Sequence, residues 1–221
     1  KSMNTALTEA LLSLSNQTDQ QAQATQQDIK SLKNIAYGVI ASDKPSEFKE
    51  PLKNIKSRLE NASKYNQQFI DILSELEKSE HVDLSNEIKQ VKEANNSIND
   101  NLKSTNQLID ALSNGSSGQL EAVNVLRDLP NLNKRLDTLR NYIKKELNRN
   151  LLAVSNEITD QLNKGQNTLS TIQSKLNTIN RVINAGQDIL NSGKKRIDTI
   201  QTALPAIENA YINAMRTAQA Y

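Results

Sequence analysis

His81 is the single histidine of the chain, and it lies beside Glu80 and Asp83. A metal site or proton relay built on it would need further ligands at defined spacing, and there is no cysteine and no second histidine. The plainer reading, a solvated histidine in a turn, is preferred. Carboxylates are plentiful, but a carboxyl tuned for acid–base work needs a concave, partly dry pocket, which thin helical assemblies seldom provide. No Gly-rich phosphate loop, His-Glu-x-x-His or Gly-flanked serine elbow is present. The expectation is therefore a non-enzyme, with no catalytic, cofactor-binding or metal-binding residues. The basic run Lys134, Arg135, Arg140, Lys144, Lys145 and Arg149 fits either an anionic polymer or lipid contact, or an exposed helix face. Asp137 and Glu146 interrupt it and Tyr142 is its one aromatic, which favours the exposed face and no nucleic-acid partner.

Three glycines are more specific. Gly165, Gly186 and Gly193 share a position with Ile172, Ile179, Ile200, Ile207 and Ala214 in a heptad whose other apolar position reads Leu162, Leu169, Leu176, Ile183, Leu190, Ile197, Leu204, Tyr211. Glycine inside a helix costs about 1 kcal/mol against alanine, so something must offset it. Close helix–helix approach or a flexible point is one explanation; a break near Asn191-Ser192-Gly193 is the other. A 3-4 alternation sustained this far is a coiled-coil seam. Carried back to Leu151 it predicts one helix of more than 60 residues, on the order of 90 Å, which makes the chain a rod.

The remaining elements agree with a rod. The 221 residues are 36% hydrophobic but only 3% aromatic, enough for seams between thin helices and too little for a thick enzyme core. Six Gly and four Pro leave little room for a loop-rich β fold. A net charge of +2 from 27 basic and 25 acidic interspersed residues argues against an anionic surface as partner. The first helix is expected over about 3–36, ended by Gly38 and Ser42-Asp43-Lys44-Pro45, with Ser42 or Asp43 as cap of the next. The second is expected over 45–78 and the third over 84–112, with polar Asn95 and Thr105 on its seam to fix register. Asn114-Gly115-Ser116-Ser117-Gly118 is the clearest turn, read as a native turn or as a linker replacing an omitted insertion. The fourth helix is expected over 119–150, kinked or restarted at Pro130, and continuing into the last helix through a skip near 149–151. The fold expected is all-α: an elongated antiparallel helical bundle over 1–150, with a long coiled-coil stalk helix over 151–221 packing on it. No run of about 18 apolar residues exists to cross a bilayer. Both ends fall inside helical patterns, so the chain is expected to be a segment of a longer protein.

The stretch Leu162-Asn-Lys-Gly165-Gln-Asn-Thr-Leu169, then Ile179-Asn-Arg-Val-Ile-Asn-Ala-Gly186-Gln-Asp-Ile-Leu-Asn-Ser-Gly193-Lys-Lys-Arg-Ile-Asp-Thr-Ile, then Leu204-Pro205-Ala-Ile207, resembles the extracytoplasmic region of the YhgE/Pip phage infection protein family. Leu129-Pro130-Asn-Leu132 is a similar Leu-Pro element. The resemblance implies the extracellular helical ectodomain of a membrane-anchored Gram-positive envelope protein, a phage receptor, located on the extracytoplasmic side of the cell membrane. Its partner would be a phage tail or receptor-binding protein. EsaA-like relatives imply the alternative, a wall-spanning rod of a type VII-like secretion system with a secretion component as partner. A third reading, an intracellular coiled-coil scaffold, needs no family. Homodimerisation through the seams is a further expectation. No cofactor is implied.

With seams used for self-packing, partner contact should fall on loop tips, which vary at little folding cost. The loops are 41–47, 79–84 and 114–118, the first and third sharing one end. The candidate contact residues are Ser42, Asp43, Lys44, Ser46, Glu47, Asn114, Ser116 and Ser117. The end bearing 41–47 is favoured over the His81 end on the premise that both termini lead towards a membrane.

Overall fold

A computed structural model describes residues 2–164 and 168–219, with the side chains of the last helix described to Ile197 and at 209, 212, 213 and 216. The elements are α1 (Met3–Ala41), a 3-10 turn (Pro45–Phe48), α2 (Lys49–Glu80), α3 (Ser85–Ser113), α4 (Gln119–Tyr142), a π turn (Ile143–Leu147), α5 (Asn148–Asn163) and α6 (Leu169–Gln219). The all-α antiparallel bundle with a long C-terminal helix is what the heptads predict. α4, the π turn and α5 form one continuous arm, so five long segments alternate in direction.

Cross-links fix their order. α2 meets α3 through Ser63 and Asn99, and α3 meets α4 through Ser104 and Asp128. α4 returns along α1, with Arg140 paired to Asp19 at 2.9 Å and Gln119 reaching the Ile40 carbonyl. α1, α2, α3 and α4 thus close a ring, and α6 lies outside it against α1 and α2. It runs parallel to α1, as Gly186 against Leu14 and Arg196 against Gln21 show, and antiparallel to α2, where Arg181 pairs with Glu75.

The expected stripes form the core. Leu7, Leu11 and Leu14 of α1, Leu52 to Leu76 of α2 and Leu84 to Leu112 of α3 are buried at their apolar seam positions. Each fully buried Leu or Ile side chain contributes about 1.5–3 kcal/mol. Ser2 starts α1 by accepting the Thr5 amide at 3.2 Å, which satisfies one orphan N–H of the first turn. At the end of α3, Ser116 donates to the Ala111 carbonyl and Gly115, at φ 80°, to that of Leu112. This is a Schellman cap, for which the left-handed glycine is required.

Several expectations are corrected. The helix predicted through 151–221 is interrupted: α5 ends at Asn163, Lys164 is extended, and the chain reverses into α6. α6 lies along α1 and α2. The buried face of α6 is Ile179, Val182, Gly186, Ile189 and Gly193, while Leu176, Ile183 and Leu190 are only half-buried and Leu169 is exposed. The glycine-bearing position is thus at the centre of contact, and the leucine-rich one is at its margin. Gly165 lies outside the described residues, and the seam side chains at 200, 204, 207, 211 and 214 lie outside the described side chains.

Pro130 does not interrupt α4; its ring faces solvent and the helix runs on. Gly38 does not end α1 either. Phe48, fully buried, packs where a Cβ at Gly38 would stand, so glycine here makes room for the ring that closes the α1–α2 corner. Ser42 caps nothing in α2; its hydroxyl accepts the Lys44 amide at 3.0 Å and shapes the turn. The skip expected near 149–151 is the π turn, a few residues earlier. Buried positions Leu139, Ile143, Leu147 and Leu151 are spaced by three consecutive fours, one residue too many for a heptad, and the wider turn absorbs it.

Candidate interaction surfaces

α1 is the residue-level centre of the molecule, and its chemistry is polar. Glu9, Asp19, Asp28, Lys30 and Lys33 are its only charges over Met3–Ala41, and Gln17, Thr18, Gln21, Thr25 and Asp28 are buried. They meet α6 and α2 in one layer. Asp28 accepts from Arg58 at 3.2 Å, with 0% of its side chain exposed. Arg196 of α6 crosses to the Gln21 side-chain oxygen and to the Arg58 carbonyl, and Gln21 donates to the Gly193 carbonyl at 3.0 Å. Tyr65 donates to the Leu14 carbonyl at 3.0 Å.

Burial dominates the electrostatics of this layer. It pushes the Asp28 carboxyl up to about 6, against the opposing pull of Arg58 and Arg196. It lowers the Arg196 guanidinium to about 10, with Asp28 pulling the other way. It raises the Tyr65 hydroxyl. Shifted pKa values can mark active sites, but these groups face each other across sealed helix contacts rather than a cleft. What the layer does is hold α6 in place. Gly186 and Gly193 serve the same end: a Cβ at Gly193 would lie 3.1 Å from both Gln21 and Tyr65 and 3.2 Å from Gln17. The glycines permit close approach, and α6 passes through Asn191-Ser192-Gly193 without a break.

A second polar cluster sits at the π turn. Glu87 of α3 accepts from the Tyr142 hydroxyl at 3.2 Å and from Asn150 at 2.8 Å. Desolvation, then the Glu87 charge, lift the Tyr142 hydroxyl to about 12. The extra residue of the π turn lets both partners reach one carboxylate.

His81 is the left-handed C-cap of α2, at φ 54°, and Asp83 accepts from the Ser85 hydroxyl and amide, which hold its carboxyl below its ordinary value. Among the described residues no group of three or more potential ligands converges on a metal position. Of the basic run, Arg135 pairs with Glu93 and Arg140 with Asp19, while Lys134, Lys144, Lys145 and Arg149 are exposed.

The two poles differ. Ser42 is half-buried, and Asp43, Lys44, Ser46, Glu47, Asn114, Ser116 and Ser117 are exposed at one pole, where the loops meet through Gln119 and Ile40. At the other, Val82 and Leu84 are buried anchors and Glu77 accepts the Leu84 amide at 2.7 Å. Met3 lies at the His81 pole, whereas α6 runs towards the other and touches the 3-10 turn.

One further surface is only faintly marked in the helical pattern. Between the Gln26–Asp137 bond and the Gln119–Ile40 bond, a groove of about 610 Å³ lies between α1 and α4, lined by Lys30, Lys33 and Tyr37 of α1 and by Leu126, Leu129, Pro130 and Asn133 of α4 among others. Tyr37 of its lining is 50% exposed, and Leu120 and Val123 of α4 are exposed apolar residues as well. A proline inside a predicted helix and a tyrosine on a polar stripe were the available signals.

In comparisons with protein-family models, curated proteins and solved structures, nothing matches the chain.

Proposed function

We propose that the chain is a non-enzymatic, extracellular interaction rod: the helical ectodomain of a bacterial envelope membrane protein that serves as a phage receptor. The observation that carries the interaction role is the division of labour among the polar groups. Asp28, Tyr65 and Arg196, whose pKa values burial shifts, are locked between helices, whereas the loop residues Asp43, Ser46, Glu47, Asn114, Ser116 and Ser117 stand exposed together at one pole. The envelope role is supported by the family resemblance over 162–207, whose Gly186 and Gly193 have a physical task in docking α6. A phage tail or receptor-binding protein would meet the pole at 41–47 and 114–118.

The test is adsorption. Cells carrying the parent gene with this region deleted, or with 41–47 and 114–118 replaced by Gly-Ser of equal length, should lose adsorption of a phage that infects the unaltered host. Unchanged adsorption of every such phage would refute the receptor role. A secretion defect in the same cells would assign the rod to export instead.

A further inference from the structure

The groove between α1 and α4 has a chemical character. Its α1 wall is the stripe Gln26, Lys30, Lys33, Tyr37, spaced four, three and four residues apart, and its α4 wall is Leu126, Leu129, Pro130 and Asn133. The groove runs about three helical turns along α1 and about two along α4, with Leu126, Leu129 and Pro130 as its apolar side and Lys30 and Lys33 on its rim. α1 has no acidic residue from Ile29 to Ala41, and neither Lys30 nor Lys33 forms an ion pair among the described residues. Arg127 and Lys134, adjacent in sequence to Leu126 and Asn133, are exposed as well. Pro130 has no N–H, so the Leu126 carbonyl lacks its usual helical donor. On its other flank α1 accepts a helix, α6, in the groove it forms with α2.

We propose that the α1–α4 groove is a docking site for an acidic amphipathic helix of a partner protein. The apolar face of such a helix would lie on Leu126, Pro130 and Tyr37, in the helix-in-groove mode, while its carboxylates met Lys30 and Lys33. Charge complementarity selects this occupant over a basic helix or a second copy of a chain whose own surface charge is nearly balanced. The inference does not depend on the envelope assignment, and the surface is separate from the loop pole.

The experiment uses the full chain and two fluorescein-labelled 21-residue peptides with the same heptad of leucines, one with glutamate and one with lysine at the remaining positions. In anisotropy titrations at low salt the glutamate peptide should bind saturably, about tenfold more tightly than the lysine peptide. The double variant Lys30→Glu/Lys33→Glu, altered only at exposed positions, should reverse that preference with unchanged circular dichroism. Leu126→Gln should weaken binding of the glutamate peptide. Absence of saturable binding, equal binding by the charge-reversed variant, or a dimer in sedimentation that occludes the peptide would each overturn the proposal.

Discussion

Two glycines on one seam position should behave differently when given a side chain. At Gly186 a new Cβ meets only Leu14, at 3.2 Å, whose flexible end can yield. At Gly193 it meets three groups, and two are tied down: Gln21 by Gly193 and Arg196, and Tyr65 by the Leu14 carbonyl. Helix propensity favours alanine by about 1 kcal/mol at both. Gly186→Ala is therefore expected to be neutral or mildly stabilising in urea unfolding, and Gly193→Ala to destabilise by about 1–2 kcal/mol, as overpacked sites do. Equal effects would remove the close-approach explanation. The buried acid gives a pH signature. Asp28 titrates near 6 in the folded chain and near 3.8 when unfolded, so folding favours its protonated form. Its contribution is fully present below the unfolded value and is lost as pH rises through about 6. Glu80, raised by burial, has the same sign. Thermal stability should therefore fall between about pH 4 and 6, by at most about 3 kcal/mol from Asp28, and Asp28→Asn should flatten the change. Stability that rises over this window, with the same slope in the variant, would contradict the assignment.

At the scale of elements, the π turn explains what a strict heptad could not. Ile143 to Leu147 hold one residue beyond the 3-4 rhythm, and Lys144, Lys145 and Glu146 of the turn are exposed. Deleting Lys145 should close the turn into ordinary α-helix while every downstream apolar residue keeps its face, so stability should change by about 1 kcal/mol or less. Deleting exposed Lys103 from the regular seam of α3 should rotate Thr105, Ile109 and Leu112 by about 100° and unfold the bundle or cost about 4 kcal/mol or more. Comparable losses would mean the π turn is not the site of the extra residue. The helices and their buried stripes were legible because a heptad reports one face directly. Three things were not. Lys164 ends α5 where leucine spacing continues, because a 3-4 rhythm in Leu162 and Leu169 does not reveal whether the chain between them reverses. Pro130 reads as a breaker, although it is tolerated where its ring meets solvent. α1 reads as one more amphipathic helix, yet it packs on four others, and its low charge and run of glutamines were the trace of that. Of the candidate sites, the loop residues could be placed from turn chemistry, but the α1–α4 groove depends on how two helices are set against each other, which no single stripe encodes.

For the molecule as a whole, five alternating segments carry the chain in at one pole and α6 towards the other. α6 is about 76 Å long at 1.5 Å per residue and borders the ring along α1 and α2 instead of extending from it. Such a rod leaves its loop pole exposed, while the polar layer of α1 is closed between helices. The absence of cysteine allows a clean measurement of that arrangement. Ser117 and Asn209 are both exposed, the first at the turn leading into α4 and the second on the far part of α6. With cysteines at these two positions carrying a donor and an acceptor dye, α6 folded back along the bundle predicts a separation of about 20–30 Å, two or three helix diameters. A separation beyond about 100 Å, as a single helix continued from α4 through α6 would require, would contradict the account.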